Sequence, residues 1–277
     1  MEAEGEEKRK FSIIHIPVFS FFSKELYSDV GLSWKGVNFS YLLLLLAICW
    51  IPTMIKIHAG FTGFVENEAP AFLAQLPEIT ITDGEVSISE AEPYYLKVPE
   101  SNDVLAVIDT TGTINSLEDA NAVCLLTKTK IMWKKSEVET QTFELSKIED
   151  FVLNSERVMG WLRTANKFLV ITIYPAALLG SYVFRIVQAL IYGAVGLLFA
   201  LSCKVRLSYG ALVRLAVVAM TPCMLGKTIL GMADIHLPYA GLIFLAITLA
   251  YLFFAVKANA EIILTWEESE EPEDMMI

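Results

Sequence analysis

Arg185 and Gln188 stand one helical turn apart inside a long apolar stretch. A charge in apolar surroundings is costly unless it is paired, so such an arginine is a candidate for holding a charged ligand. Asp234, with His236 two residues on, could complete a small polar site with Arg185 and Gln188. The competing reading is that Arg185 reaches to an interface or bonds a neighbouring helix. Arg214 and Lys227, near the ends of a later apolar block, invite the same reading. A second group of residues lies in the polar middle of the chain. Val107-Ile-Asp109-Thr-Thr-Gly112-Thr-Ile114 resembles a reactive-aspartate loop. A phosphorylatable loop would carry lysine where Thr110 stands, however, and an aspartic dyad would need a second copy and one residue fewer. The segment reads as a strand ending in an Asp/Thr/Gly turn. Tyr94, Tyr95, Asp109 and Trp133 make a candidate partner surface, with packing in the core or at its rim as the alternative. The sequence offers no nucleophile–base pair, phosphate loop or carboxylate dyad. The three histidines are far apart and no Cys/His cluster exists, so neither a metal site nor a cofactor is expected.

The elements that must position these residues follow from composition. The 277 residues are 55% hydrophobic and 19% charged, with mean hydropathy +0.51. That apolar excess sits in blocks, as in membrane spans. Net charge is −11, which argues against a nucleic-acid partner. Nearly all of the imbalance lies between His58 and Arg163, where 18 acidic residues face 8 basic ones.

Residues 1–10 are polar and read as disordered; residues 17–35 alternate apolar and polar positions at helical spacing. This amphipathic helix would lie in a membrane interface or pack on the protein's own helices. Residues 39–57 are the first span, an uncleaved anchor. Residues 58–163 form an α+β domain. It opens on an amphipathic stalk over 61–76, interrupted at Pro70. Asp83-Gly84 between alternating residues predicts a hairpin over 79–89. Strands are predicted at 94–98, 104–109, 122–127, 130–134 and 138–143. A helix is predicted over 145–162, started by a capping box at Ser146 and Glu149. Residues 164–257 hold the remaining spans and 258–277 are an acidic tail, read as disordered.

Ala165–Ser202 decides the topology, since Lys167 and Arg185 are its only charges. Read as one crossing, it gives a membrane α-helical bundle of four spans. Read as two, it gives five. Lys24, Lys35, Lys204, Arg206, Arg214 and Lys257 gather on one side in the four-span arrangement. Short-loop basic residues mark the cytoplasmic side, so four spans put both termini in the cytoplasm and the inserted α+β domain outside. Ala189, Gly193, Gly196 and Ala200 would give this helix a small-residue packing face.

Several segments resemble one bacterial membrane family, the domain of unknown function 1189. They are Phe22-Ser-Lys-Glu-Leu-Tyr-Ser-Asp29, Trp34-Lys-Gly36, Leu76-Pro-Glu-Ile-Thr-Ile-Thr-Asp-Gly84, Glu92-Pro-Tyr94, Val107 to Gly112, and Leu207-Ser-Tyr209 through Thr221-Pro222. The last half is also distantly similar to Yip-type membrane proteins. The resemblance implies an integral protein of the bacterial plasma (inner) membrane and supplies no catalytic residues. The expected function is therefore non-enzymatic: an exported domain that binds a membrane or periplasmic protein partner, or regulates a membrane complex. A small transporter, or an accessory subunit of one, is the alternative, and it would need polar residues converging between the spans.

Overall fold

The computed structural model describes residues 9–99, 101, 103–136 and 139–270. The expectations for residues 1–8 and for the tail beyond Glu270 lie outside the described residues. Contacts divide the chain into a helical unit, made of residues up to Lys56 and from Ile171 onward, and a second unit, Ile57–Val170.

In the helical unit, α1 (Ile16–Phe19) and α2 (Lys24–Leu32) precede α3 (Phe39–Gly63). The other long helices are α6 (Ser155–Ser202), α7 (Tyr209–Met232) and α8 (Ala240–Glu270). Four helices are long and apolar enough to cross a membrane, which is compatible with a membrane protein. Ala165–Ser202 is part of one continuous helix and not a hairpin, so the described residues carry four such elements and not five. Its small-residue face is buried, with Gly193 and Gly196 lying against Val213 and Leu212 of α7.

The amphipathic segment packs on the protein itself. Leu26, Tyr27 and Val30 of α2 are fully buried in the helical core. Ser23 starts this helix by accepting from the Leu26 N–H at 3.1 Å. The expected disorder beyond Lys257 is corrected as far as Glu270, because α8 continues to that residue. The extension is held by α2: Asn259 donates to Tyr27 O at 3.1 Å, Ser28 donates to Ala258 O at 3.2 Å, and Lys24 pairs with Glu261 at 2.9 Å.

In the second unit, the end of α3 passes into a π-helical turn, Phe64–Glu68, and restarts as α4 (Ala69–Leu73). Pro70 explains the interruption, since it removes one ladder donor and crowds the preceding turn. A three-stranded antiparallel sheet has the order β2-β1-β8, from β1 (Ile79–Thr82), β2 (Glu85–Ile88) and β8 (Asp150–Leu153). A five-stranded sheet runs β3-β4-β5-β6-β7, from β3 (Tyr94–Lys97), β4 (Val104–Asp109), β5 (Cys124–Thr127), β6 (Lys130–Lys134) and β7 (Thr140–Glu144). Among the described residues only β4 and β5 run parallel, joined by a crossover through α5 (Leu117–Ala120). Ile79, Ile81, Val86, Ile108 and Leu145 join the two sheets in one core. Val107, Leu117, Ala120 and Leu125 form a second cluster beneath α5.

The predicted hairpin is present, with Asp83 at φ 50° and Gly84 at φ 79°. The helix expected over 145–162 is corrected. Leu145–Lys147 is a 3-10 turn, 150–153 is strand β8, and α6 starts at Ser155. Helical spacing and strand alternation share Phe151 and Leu153, and pairing with β1 decides for the strand. Asn154, and not Ser146, accepts at the start of the helix, from the Arg157 N–H at 3.0 Å.

Candidate functional site

Spacing along α6 places Arg185, Gln188 and Tyr192 on successive turns of one face. The Arg185 guanidinium donates to Gln188 Oε1, and Gln188 Nε2 donates to Tyr192 Oη at 2.7 Å. Two cavities adjoin this chain of bonds, of about 440 and 300 Å³. Phe184, Arg185, Met224 and Lys227 line both of them. Lys227 lies over the Phe244 ring of α8, 5.4 Å from its centroid. Trp50 and Thr53 of α3 face the larger cavity, and Trp50 donates to Ser181 Oγ at 3.0 Å.

The structure brings together Arg185 and Gln188 but gives Asp234 a different partner. Lys56 pairs with the Asp234 carboxylate and also donates to Gly231 O at 2.7 Å. That hydrogen bond and the lysine's charge hold the Asp234 carboxyl below its usual pKa. His236 Nδ1 lies 3.0 Å from the Asp234 carbonyl oxygen, a bond internal to the loop.

The candidate partner surface divides between two faces of the five-stranded sheet. Register places Tyr94 and Trp133 on the face turned to the three-stranded sheet, and Tyr95 and Asp109 on the opposite face. Tyr94 donates to Gln75 O at 2.7 Å. Asp109 is fully buried. Its carboxylate accepts from the Thr111 hydroxyl, the Thr111 N–H and the Ile114 N–H. Burial alone would raise its pKa, but these bonds and one from Gly112 together pull it below the usual carboxylate value. Glu92 binds the neighbouring Thr110 through both its N–H and its hydroxyl. Asp109 therefore organises its own turn and is not presented to a substrate. Tyr95 is the exposed member of the set, at 43%, and Leu105 of β4 (40%) and Val123, just before β5 (50%), are also exposed. The Val123 N–H donates to Leu105 O, which puts those two side by side.

Sequence reasoning passed over Lys227 as a partner of Arg185. The available signal was distance along the two helices. Arg185 stands about 26 Å from the Ser202 end of α6 and Lys227 about 27 Å from the Tyr209 end of α7, at ~1.5 Å per residue. It also missed a polar junction. Arg214 donates to the carbonyls of Val30, Gly31 and Gly36 at 3.0–3.1 Å, closing the C-terminus of α2. Asp29 accepts from Trp34 Nε1 at 2.8 Å and from the N–H groups of Lys10 and Phe11. Among the described residues, no group of three or more His, Cys, Asp or Glu is placed to hold a metal. A family model described as a protein of unknown function (DUF1189) matches residues 18–256. Comparison with curated proteins finds no match, and neither does comparison with solved structures.

Proposed function

We propose, on the premise that the chain belongs to the DUF1189 family of proteins of unknown function, that it is a four-span protein of a bacterial plasma membrane whose second unit binds a protein partner outside the cell or in the periplasm. The protein is non-enzymatic on this reading and acts by binding or by regulating a membrane complex. The observation that carries it is the insertion of a separate two-sheet unit, Ile57–Val170, between helices long and apolar enough to span. Contacts support a shared side for the two ends of the chain, and the basic residues Lys24, Lys35, Lys204, Arg206, Arg214 and Lys257 gathered there make that side cytoplasmic on this reading. The N-terminal segment, the start of α7 and the end of α8 meet through Arg214 and Asn259. At the other end, Lys56 meets the loop between α7 and α8. The partner surface we assign holds Tyr95, the exposed aromatic of β3, and the exposed pair Leu105 and Val123, because exposed aromatic and apolar side chains suit a contact core. The distant likeness of the last half to Yip-type membrane proteins, with Ser208, Tyr209, Arg214 and Pro222 in it, is part of this reading.

Two measurements test this reading. In a cysteine-free background, Arg206→Cys is shielded from an impermeant thiol reagent and His236→Cys is labelled. The reverse pattern sinks the orientation. A photo-crosslinker replacing Tyr95 in the full-length protein gives a discrete protein adduct in host membranes that Leu105→Asp abolishes. An adduct unaffected by Leu105→Asp, or none at all, counts against the surface. The transporter reading is kept for one reason: Arg185, Gln188 and Lys227 border cavities within the helical unit.

A further inference from the structure

No Asp or Glu occurs in the sequence between Arg157 and Ala233. Among the described residues no Asp or Glu lines either cavity, and three carboxylates of the helical unit are engaged elsewhere. Asp29 is held by Trp34 and the N-terminal backbone, Asp234 by Lys56 and Glu261 by Lys24. Arg185 and Lys227 thus border both cavities, and among the described residues neither has a carboxylate in ion-pair contact. Gln188 takes one of the five N–H donors of Arg185. Lys227 lies over the face of Phe244. Two uncompensated cations bordering the same small space repel each other and are poorly solvated, and an anion between them relieves both costs. Ser181 adds a hydroxyl, which accepts from Trp50 and keeps its own proton free to donate.

We infer that Arg185 and Lys227 bind a phosphate group, carried by an anionic phospholipid whose acyl chains lie along the flank of α6. The source follows from where the cavities open. Phe184 borders both and is 64% exposed, and Leu179, Val183 and Val187 continue the exposed apolar flank beside it. A free anion would fill only the charged end of this arrangement. A phospholipid fills that end and covers the flank. The depth agrees: about 26 Å from the inner end of a helix crossing a core of ~30 Å is close to the opposite headgroup layer. An arginine fork also suits phosphate oxygens better than a point charge does.

The inference draws on the four-span reading for this depth. The labelling experiment can fail while lipid capture succeeds, so the two failures are distinguishable. The test uses the purified full-length protein in detergent, with phosphatidylglycerol, phosphatidylcholine or inorganic phosphate added. Native mass spectrometry reads retained lipid, and the thermal midpoint reads binding. Wild type retains phosphatidylglycerol in preference to phosphatidylcholine. Arg185→Gln and Lys227→Gln each weaken this binding about tenfold, as expected for loss of a charge-assisted contact. Arg185→Lys with Lys227→Arg restores it. The Gln variants keep a lipid-free midpoint no lower than wild type and the same elution volume, which separates lost binding from lost folding. A shift with inorganic phosphate equal to that with phosphatidylglycerol overturns the lipid source and keeps the phosphate site. Equal lipid retention by wild type and both Gln variants overturns the site.

Discussion

Asp109 shows how a residue that resembles catalytic machinery can be wholly spent on its own backbone. Three donors within five residues of it, joined by Gly112, occupy the carboxylate. Asp109→Asn should destabilise the second unit by about 2 kcal/mol, since charge-assisted bonds to a buried acceptor are lost. The pH dependence has a fixed sign. A carboxyl with a lowered folded-state pKa stabilises fully above its unfolded value, and that contribution drains away as pH falls below about 4. Denaturant titrations at pH 7 and pH 3 should show a smaller difference in the Asn variant than in wild type. Gly84 is constrained for another reason. Its φ is +79°, and an added Cβ would lie 2.7 Å from Ser146 Cα. Gly84→Ala should therefore cost about 2 kcal/mol or more, combining a left-handed backbone with a contact against rigid main chain. An unchanged midpoint in Gly84→Ala would show that the hairpin can move away from Ser146.

At the scale of elements, α2 is a short helix whose place is fixed by others. Arg214 supplies three donors to carbonyls at its C-terminal end, where a helix carries partial negative charge. Gly31 lets Asn259 approach so closely that an alanine Cβ would fall 2.0 Å from Asn259 Oδ1. Arg214→Gln should release α2 while leaving α3 and α6 to α8 in place. Hydrogen exchange of the amides over 24–32 should then speed up by at least about tenfold, the factor for ~1.4 kcal/mol of lost local stability. Gly31→Ala should do the same through displacement of Asn259. If the amides over 24–32 keep wild-type protection in both variants, α2 is held without Arg214 and Asn259.

At the scale of the molecule, the two units have separate cores. One comprises the helices, and the other lies within and beneath the two sheets. Separate cores should melt separately. Calorimetry of the detergent-solubilised protein is expected to show two transitions, with Asp109→Asn lowering one and Arg214→Gln the other. A single transition shifted by both variants would mean the units unfold together.

The sequence by itself determined the elements whose signal is local. Four apolar blocks became the four long helices, and Asp83-Gly84 became the hairpin, because block hydrophobicity and left-handed turn residues act within one segment. The strands 104–109 and 130–134 fall at their predicted bounds. Tertiary structure decided what depends on distant partners. The pattern of residues 145–162 fits a helix until β1 is beside it. Residues 257–270 look like a solvated tail until α2 docks on Asn259 and Glu261. The site follows the same division. Arg185 and Gln188 were legible as neighbours on one helix turn. Lys227 facing the same cavities, Asp234 held by Lys56, and Asp109 turned inward were not, because spacing along a chain does not say which side chains reach one another across helices or sheets.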